Sequence, residues 1–183
     1  MQRIDISHKP SPYSFGHKLC RVLWGIVYSL LFRPSPRPFH AWRRFLLRCF
    51  GAKLGKKAKV HSTAKVWAPW NLTMGDYSTI APDVHCSCAS RVKIGSHTTI
   101  SQYSYLTTAS HDYEHPNFVL FSKPITIGNG CWLASDVFVG PGVNIGDGTV
   151  VGVRSTVLRD LPPWSVCFGT PAKAVRTRHI RSS

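Results

Sequence analysis

The chain has 183 residues, a hydrophobic fraction of 43% and a formal charge of +15. That length admits one cored domain plus a modest appendage, and the composition is that of a globular protein. Residues 1–60 hold 13 Lys/Arg against the single acid Asp5; with no nucleic-acid motif beside this charge, a nucleic-acid partner is set aside.

Residues 1–16 read as an extended arm. Residues 17–32 (HKLCRVLWGIVYSLLF) read as a helix whose apolar run from Val22 to Phe32 is about half of the ~20 residues a bilayer span requires. The segment from Arg33 to Pro38 (RPSPRP) cannot continue it, because proline lacks the amide donor and restricts its predecessor. A second helix comes next, over residues 39–50. Phe39, Trp42, Phe45, Leu46 and Cys49 recur at helical spacing, with Arg43, Arg44 and Arg48 elsewhere around it. This basic, amphipathic unit, residues 1–58, admits two roles: a cap on the fold beyond it, or a contact with anionic membrane.

From Ile127 onward an aliphatic residue returns at every sixth position: Ile127, Leu133, Val139, Ile145, Val151, Val157. The fifth place of each hexad is small or β-branched: Cys131, Val137, Val143, Thr149, Ser155. A period of six belongs neither to a helix nor to a simple strand. It predicts an all-β solenoid of triangular coils, three hexads or about 18 residues each. The pattern spans residues 59–162. It starts at Val60 and Val66, slips at Leu72/Met74, continues as Met74, Ile80 and Cys86, slips again, and resumes at Ile94, Ile100 and Leu106. Gly75, Gly95, Gly128, Gly140, Gly146 and Gly152 each follow an aliphatic position, where a corner tolerant of unusual φ is expected. Leu161-Pro162-Pro163-Trp164 ends the hexads, and residues 163–183 form a looped C-terminal extension.

The six cysteines contain no CxxC pair. Cys86-x-Cys88 lacks the second pair of a zinc site. No secretory signal precedes the cysteines, so they read as reduced thiols of a cytoplasmic protein, and no metal is expected.

Between Leu106 and Ile127 the spacing departs from any multiple of six, so residues 107–124 leave the coil as an external loop. It carries His111, Asp112, Glu114 and His115, on the kind of segment where binding groups gather. An imidazole takes and returns a proton near neutral pH, which suits general-base work on an alcohol. His111 sits at the loop's root, still anchored by the coil; His115 lies further out and reads as loop packing.

The stretches Ser110-His111-Asp112, Pro124-Ile125-Thr126-Ile127-Gly128, Cys131-Trp132-Leu133-Ala134, Gly140-Pro141-Gly142-Val143 and Gly169-Thr170-Pro171-Ala172-Lys173 together resemble the hexapeptide-repeat O-acetyltransferases, which include the galactoside and maltose acetyltransferases. The likeness to colanic-acid-type exopolysaccharide biosynthesis acetyltransferases is closer. It adds Arg33 to Pro38, His40-Ala41-Trp42-Arg43-Arg44-Phe45, Trp67-Ala68-Pro69-Trp70 and Ile100-Ser101-Gln102, and so covers nearly the whole chain.

The resemblance implies a left-handed parallel β-helix, a homotrimer with sites between neighbouring subunits, and acetyl-CoA lying along a groove. It implies acetyl transfer to a sugar hydroxyl of an exopolysaccharide or its lipid-linked precursor. His111 falls on the catalytic base, Ser135 and Val153 on the pantetheine path with an oxyanion donor near Ser135, and Leu158 and Arg159 further along it. Lys173 and Arg176 fall beside the CoA phosphates, though a solvated basic tail has the same composition. Trp132 falls at the acceptor, with ordinary packing as an equal reading. The family's Asn and Asp before the histidine are replaced by Ala81 and Ala89, leaving Asp83 and His85 as the nearby polar candidates, and Val153-Arg154 replaces a small pair. Competing readings are N-acetylation of an amino sugar, a γ-carbonic-anhydrase-type lyase with a metal on His85, His111 and His115, and a non-catalytic trimeric scaffold.

Overall fold

The computed structural model describes residues 4, 7 and 11–181, so part of the expected arm over residues 1–16 lies outside the described residues. From Lys53 the chain winds about six turns of a parallel β-solenoid with three flat faces. Face one stacks Lys53–Leu54, Leu72–Met74, Val92–Ile94, Ile125–Ile127 and Asn144–Ile145. Face two stacks Lys59–Val60, Thr79–Ile80, Thr99–Ile100, Trp132–Leu133, Val150–Val151 and Ser165–Gly169. Face three stacks Lys65–Val66, His85–Ser87, Tyr105–Thr107, Phe138–Val139 and Thr156–Val157.

Register explains the hexad. In the two-residue strands the first residue points out and the second in, and a four-residue corner completes the repeat. The inward residues stack coil on coil. Leu54, Met74, Ile94, Ile127 and Ile145 form one column, and Val60, Ile80, Ile100, Leu133, Val151 and Cys167 a second. Val66, Cys86, Leu106, Val139 and Val157 form the third. All are buried, each stabilising the coil by about 1.5–3 kcal/mol for a full-sized aliphatic. The small fifth residues are buried too, and several tie down corner carbonyls: Thr98 Oγ1 donates to Gly128 O at 2.7 Å and Thr149 Oγ1 to Pro162 O at 2.7 Å.

The slips in the pattern are wider corners. Equivalent positions lie 20 residues apart in the early turns and 18 in the late ones. The extra residues all enter at the edge between faces three and one, as the 3-10 turn Pro69–Asn71 and the bend over residues 88–91. Cys88 Sγ donates to Ala68 O at 3.2 Å, and Asn71 Nδ2 donates to Cys88 O at 2.9 Å and Ala89 O at 3.0 Å. The long insertion, residues 107–124, leaves from this same edge.

The corner glycines have a different cause from the one expected. None of Gly75, Gly95, Gly128, Gly140, Gly146 or Gly152 has positive φ. A Cβ on Gly95 would fall on Gly128 and within 2.6 Å of Asn129 N; one on Gly146 would fall on Pro163. Close stacking on the neighbouring backbone excludes the side chain at Gly75, Gly95, Gly128 and Gly146. The left-handed residue comes two positions later, at Tyr77, His97, Gly130 and Gly148. Side chains stitch this edge vertically: Asp76 Oδ1 accepts from Lys56 N–H, Asn129 Oδ1 from Ser96 N–H and Asp147 Oδ1 from Asn129 N–H, at 2.7, 2.8 and 2.7 Å.

At the N-terminal end, α1 (Phe15–Val27) starts on Ser14, whose Oγ accepts from His17 N–H, and runs into a π-helical turn at Tyr28–Phe32. It lies against face three through Trp24, whose Nε1 donates to Val66 O at 2.7 Å. The second helix, α2 (His40–Cys49), covers the open first coil, and its orientation corrects the sequence reading. Arg43, Leu46 and Leu47 face inward; Arg44 donates to Ala58 O and Arg48 to Leu54 O, while Phe39, Trp42, Phe45 and Cys49 are exposed. The first coil ends in carbonyls with no strand beyond them, and guanidinium groups satisfy these where aromatic rings cannot. At the other end the C-terminal extension is a β-hairpin. Ser165–Gly169 extends face two, and Ala172–Thr177 returns antiparallel.

Candidate active site

The insertion is itself a β-hairpin. Ala109–His111 pairs antiparallel with Leu120–Ser122, placing His111 opposite Leu120. Its root is held by Lys123 N–H donating to Thr108 O at 2.8 Å, and its turn by Phe118 N–H donating to His115 O at 2.9 Å. Asp112 Oδ1 accepts from Glu114 N–H and His115 Nδ1 from Asn117 N–H. Asp112 and His115 therefore serve the loop's own geometry.

His111 Nδ1 lies 2.6 Å from Phe118 O. A carbonyl only accepts, so Nδ1 carries the hydrogen and Nε2 of the neutral ring presents its lone pair. The ring is exposed between two cavities. One, about 430 Å³, is lined by Ser11, Pro12, Asn117, Phe118, Val119 and Leu120 and is mostly apolar. The other, about 610 Å³, lies on the hairpin's other side, with Asp112, Tyr113, Glu114, His115 and Lys123 among its walls. The Phe118 carbonyl and the Ser11–Pro12 arm are site elements that residue types did not announce. The first is backbone, and the second lies a hundred residues away in sequence.

The cofactor-side candidates fall in three places. Ser135 and Val153 stack on the edge between faces two and three, with Arg154 Nε ion-paired to Asp136 Oδ2 at 3.2 Å beside them. Leu158 and Arg159 stand exposed on the edge that carries the His111 hairpin. Lys173 and Arg176 are exposed on the returning strand Ala172–Thr177. Just beyond that strand, Arg178 Nη1 donates to Gly130 O and Gly148 O, both at 2.8 Å, and anchors the chain there. Trp132 is half exposed on face two with Nε1 donating to Ser101 Oγ at 3.0 Å. Asp83 sits at an edge corner with φ 57°, and its N–H donates to Thr63 Oγ1.

His85 faces a separate cleft of about 240 Å³ between α1 and face three, lined by Arg21, Trp24, Tyr28, Lys65 and Trp67. Its ring meets Tyr105 edge-on at 4.7 Å. Burial, and then the Lys65 charge, push its pKa below the ordinary 6.5. Within one chain, His85, Ser135 and Val153 are thus not gathered around His111. The trio His85, His111 and His115 does not converge either; among the described residues no three of His, Cys, Asp and Glu could hold a metal ion.

No protein-family model matches the chain. Individual relatives do. WcaF of Escherichia coli (strain K12), provisionally assigned as a colanic acid biosynthesis acetyltransferase, is 46% identical over 178 residues, 97% of this chain and 98% of that one. A hexapeptide-repeat-containing acetyltransferase from Vibrio cholerae, solved with acetyl coenzyme A, superposes with a TM-score of 0.85 at 26% identity, covering 98% of this chain and 97% of that one. A galactoside acetyltransferase solved with coenzyme A superposes with a TM-score of 0.84 at 28% identity, covering 92% and 86%. The coil is the left-handed parallel β-helix of these structures.

Proposed function

The chain belongs to the hexapeptide-repeat acetyltransferases and is an acyltransferase; from that premise we propose that it transfers an acetyl group from acetyl-CoA to a sugar hydroxyl of an exopolysaccharide or its lipid-linked precursor. The observation that carries this reading is the fixed tautomer of His111, whose Nδ1–H is committed to Phe118 O. Nε2 then faces solvent-filled space at the single large break in the coil, positioned to accept a proton.

In the proposed reaction the acceptor O–H gives its proton to Nε2 as its oxygen bonds to the thioester carbonyl carbon. The C–S bond breaks and the imidazolium returns the proton to the departing thiolate, so atoms and charge balance. The Ser135 N–H supplies the hydrogen bond for the carbonyl oxygen as charge builds there. Val153, Leu158 and Arg159 line the pantetheine, Lys173 and Arg176 meet the phosphates, and Trp132 and Asp83 lie on the acceptor side. His85 keeps a place there only if the acceptor reaches the cleft under α1. The separation of His111 from Ser135 and Val153 by the width of face three supports a homotrimer, in which one chain's hairpin completes its neighbour's groove. Acetyl-CoA supply puts the enzyme in the cytoplasm, and no helix among the described residues is long and apolar enough to cross a membrane.

Free-thiol release from acetyl-CoA, measured against nucleotide sugars, lipid-linked oligosaccharides and simple glycosides, tests the reading. His111→Ala is expected to lower turnover at least ~100-fold with assembly intact. A variant nearly as fast as the parent removes His111 from the role of base.

A further inference from the structure

The N-terminal helices turn an unexpected face to the coil. Along α1 and the π-helical turn after it, the inward residues are His17, Arg21, Trp24, Tyr28 and Phe32: Trp24 bonds Val66, His17 packs on Trp67 and Trp70, and Arg21 lies 3.8 Å over Trp67. The aliphatic stripe points away. Phe15, Leu19, Val22, Ile26 and Leu30 recur at helical spacing and are 82, 48, 60, 50 and 68% exposed. The stripe continues across α2, because Trp42 Nε1 donates to Leu31 O at 3.1 Å and Trp42 stacks on Phe45. Phe39, Trp42 and Phe45 are exposed with it. A contiguous apolar surface of this kind on a folded protein marks an interaction site.

Charge selects the occupant. Between Asp5 and Asp76 the sequence holds no Asp or Glu, and Lys18, Arg33 and Arg37 are exposed around the stripe. Pairing this face with its own copy would set the basic residues 1–60, with 13 Lys/Arg and one acid, against their like, whereas an anionic lipid surface neutralises them. Trp24, Phe32, Leu46 and Leu47 already supply the buried apolar contacts of a cap, so the outward aromatic and aliphatic residues exceed what capping needs.

We infer that the outer face of α1 and α2 lies in the interfacial plane of an anionic bilayer. The aliphatic stripe is seated at the headgroup–acyl boundary and the flanking cations lie among phosphates. The chain connects this face to the catalytic loop directly: Ser11 and Pro12, which wall the cavity beside His111, lie just before α1, and Tyr13 stacks on His17 at 4.7 Å. Docking therefore brings the apolar-walled cavity to the membrane's edge. This deepens the acetyl-transfer reading and rests on it for the acceptor, which becomes a saccharide carried on a membrane lipid.

Sedimentation of the full chain with vesicles tests the docking without reference to catalysis. The parent is expected to sediment with phosphatidylcholine–phosphatidylglycerol vesicles, less as salt rises, and poorly with phosphatidylcholine alone. The triple variant Leu19→Gln, Val22→Gln, Ile26→Gln changes only exposed side chains. It should bind at least about tenfold more weakly, with the parent's melting temperature, size in lipid-free gel filtration and thiol release toward a water-soluble glycoside. Parent-like vesicle binding by the triple variant overturns the inference, as does a parent that ignores anionic vesicles. A change in oligomer size makes the face a subunit contact and overturns it too. Intact vesicle binding without acetyl transfer would instead count against the proposed reaction alone.

Discussion

Arg43 is fully buried, and its guanidinium holds the N-terminal module on the coil. Nε donates to Val60 O at 2.8 Å. Nη1 donates to Ser35 Oγ and Pro36 O, both at 2.9 Å. Nη2 donates to Arg37 O at 2.8 Å and to His40 Nδ1 at 2.9 Å. One side chain thus terminates the coil and fixes the proline-rich link between α1 and α2. Arg43→Ala strands the buried Val60 carbonyl, at about 1–3 kcal/mol, and removes several charge-assisted bonds whose acceptors lie nearer water. With the lost packing the expected destabilisation is about 3–5 kcal/mol, a fall in Tm of roughly 6–20 °C for a chain of this size. Arg43→Met keeps the packed stem without donors, and Arg43→Lys keeps the charge without the planar fork. Thermal melts followed by circular dichroism should rank the variants parent, Lys, Met, Ala. A Met variant as stable as the parent would refute the reasoning, because the donors would then contribute nothing beyond their own desolvation.

Two glycines and four histidines extend the test to other parts of the molecule. Gly128→Ala places a Cβ on Asp147, within 2.7 Å of its backbone N; since that backbone is fixed by the next coil, Tm should fall by at least ~10 °C. Gly16→Ala, with open space around it, should be neutral or stabilising by about 0.5–1 kcal/mol. Acid should loosen the N-terminal module. Burial, first, and neighbouring cations hold the pKa values of His17, His40, His61 and His85 below 6.5. The unfolded chain then binds more protons than the folded one below that value, so stability is full above pH 6.5 and declines as pH falls toward the depressed folded values. Melts between about pH 7.5 and about pH 5.5 should show a falling Tm, and a flat profile contradicts the assignment.

The solenoid was legible because its core is one-dimensional. Stacked pairs such as Leu133–Val151 and Val139–Val157 repeat in sequence as they stack in space, so period alone reports them. The hairpin was legible as an interruption, though not as two paired strands. What sequence misjudged were contacts at right angles to the repeat. Gly95 follows an aliphatic residue just as a turn glycine would, yet it is required by the coil lying against it. Arg43 and Phe45 sit two positions apart on one helix, and the choice of which faces inward is made by carbonyls on a different segment. The tautomer of His111 depends on a main-chain oxygen that any residue at position 118 would supply.

The division of the proposed site between edges has a consequence that a single chain cannot display. His111 leaves the edge between faces three and one, whereas Ser135 and Val153 lie on the edge between faces two and three. If neighbouring chains build each site, two inactive subunits can repair one another. His111→Ala removes the base and leaves the groove. Val153→Trp, at a position 61% exposed in the chain, blocks the groove and leaves the base. In trimers formed at random from equal amounts of both, a site needs His111 from one variant and Val153 from the other. About one quarter of the sites satisfy both conditions under a head-to-tail cyclic arrangement. Co-refolded mixtures should therefore recover about a quarter of parental thiol release per site, while separately folded subunits mixed afterwards recover none. Activity that stays at the level of the two variants after co-refolding would place base and groove on the same subunit.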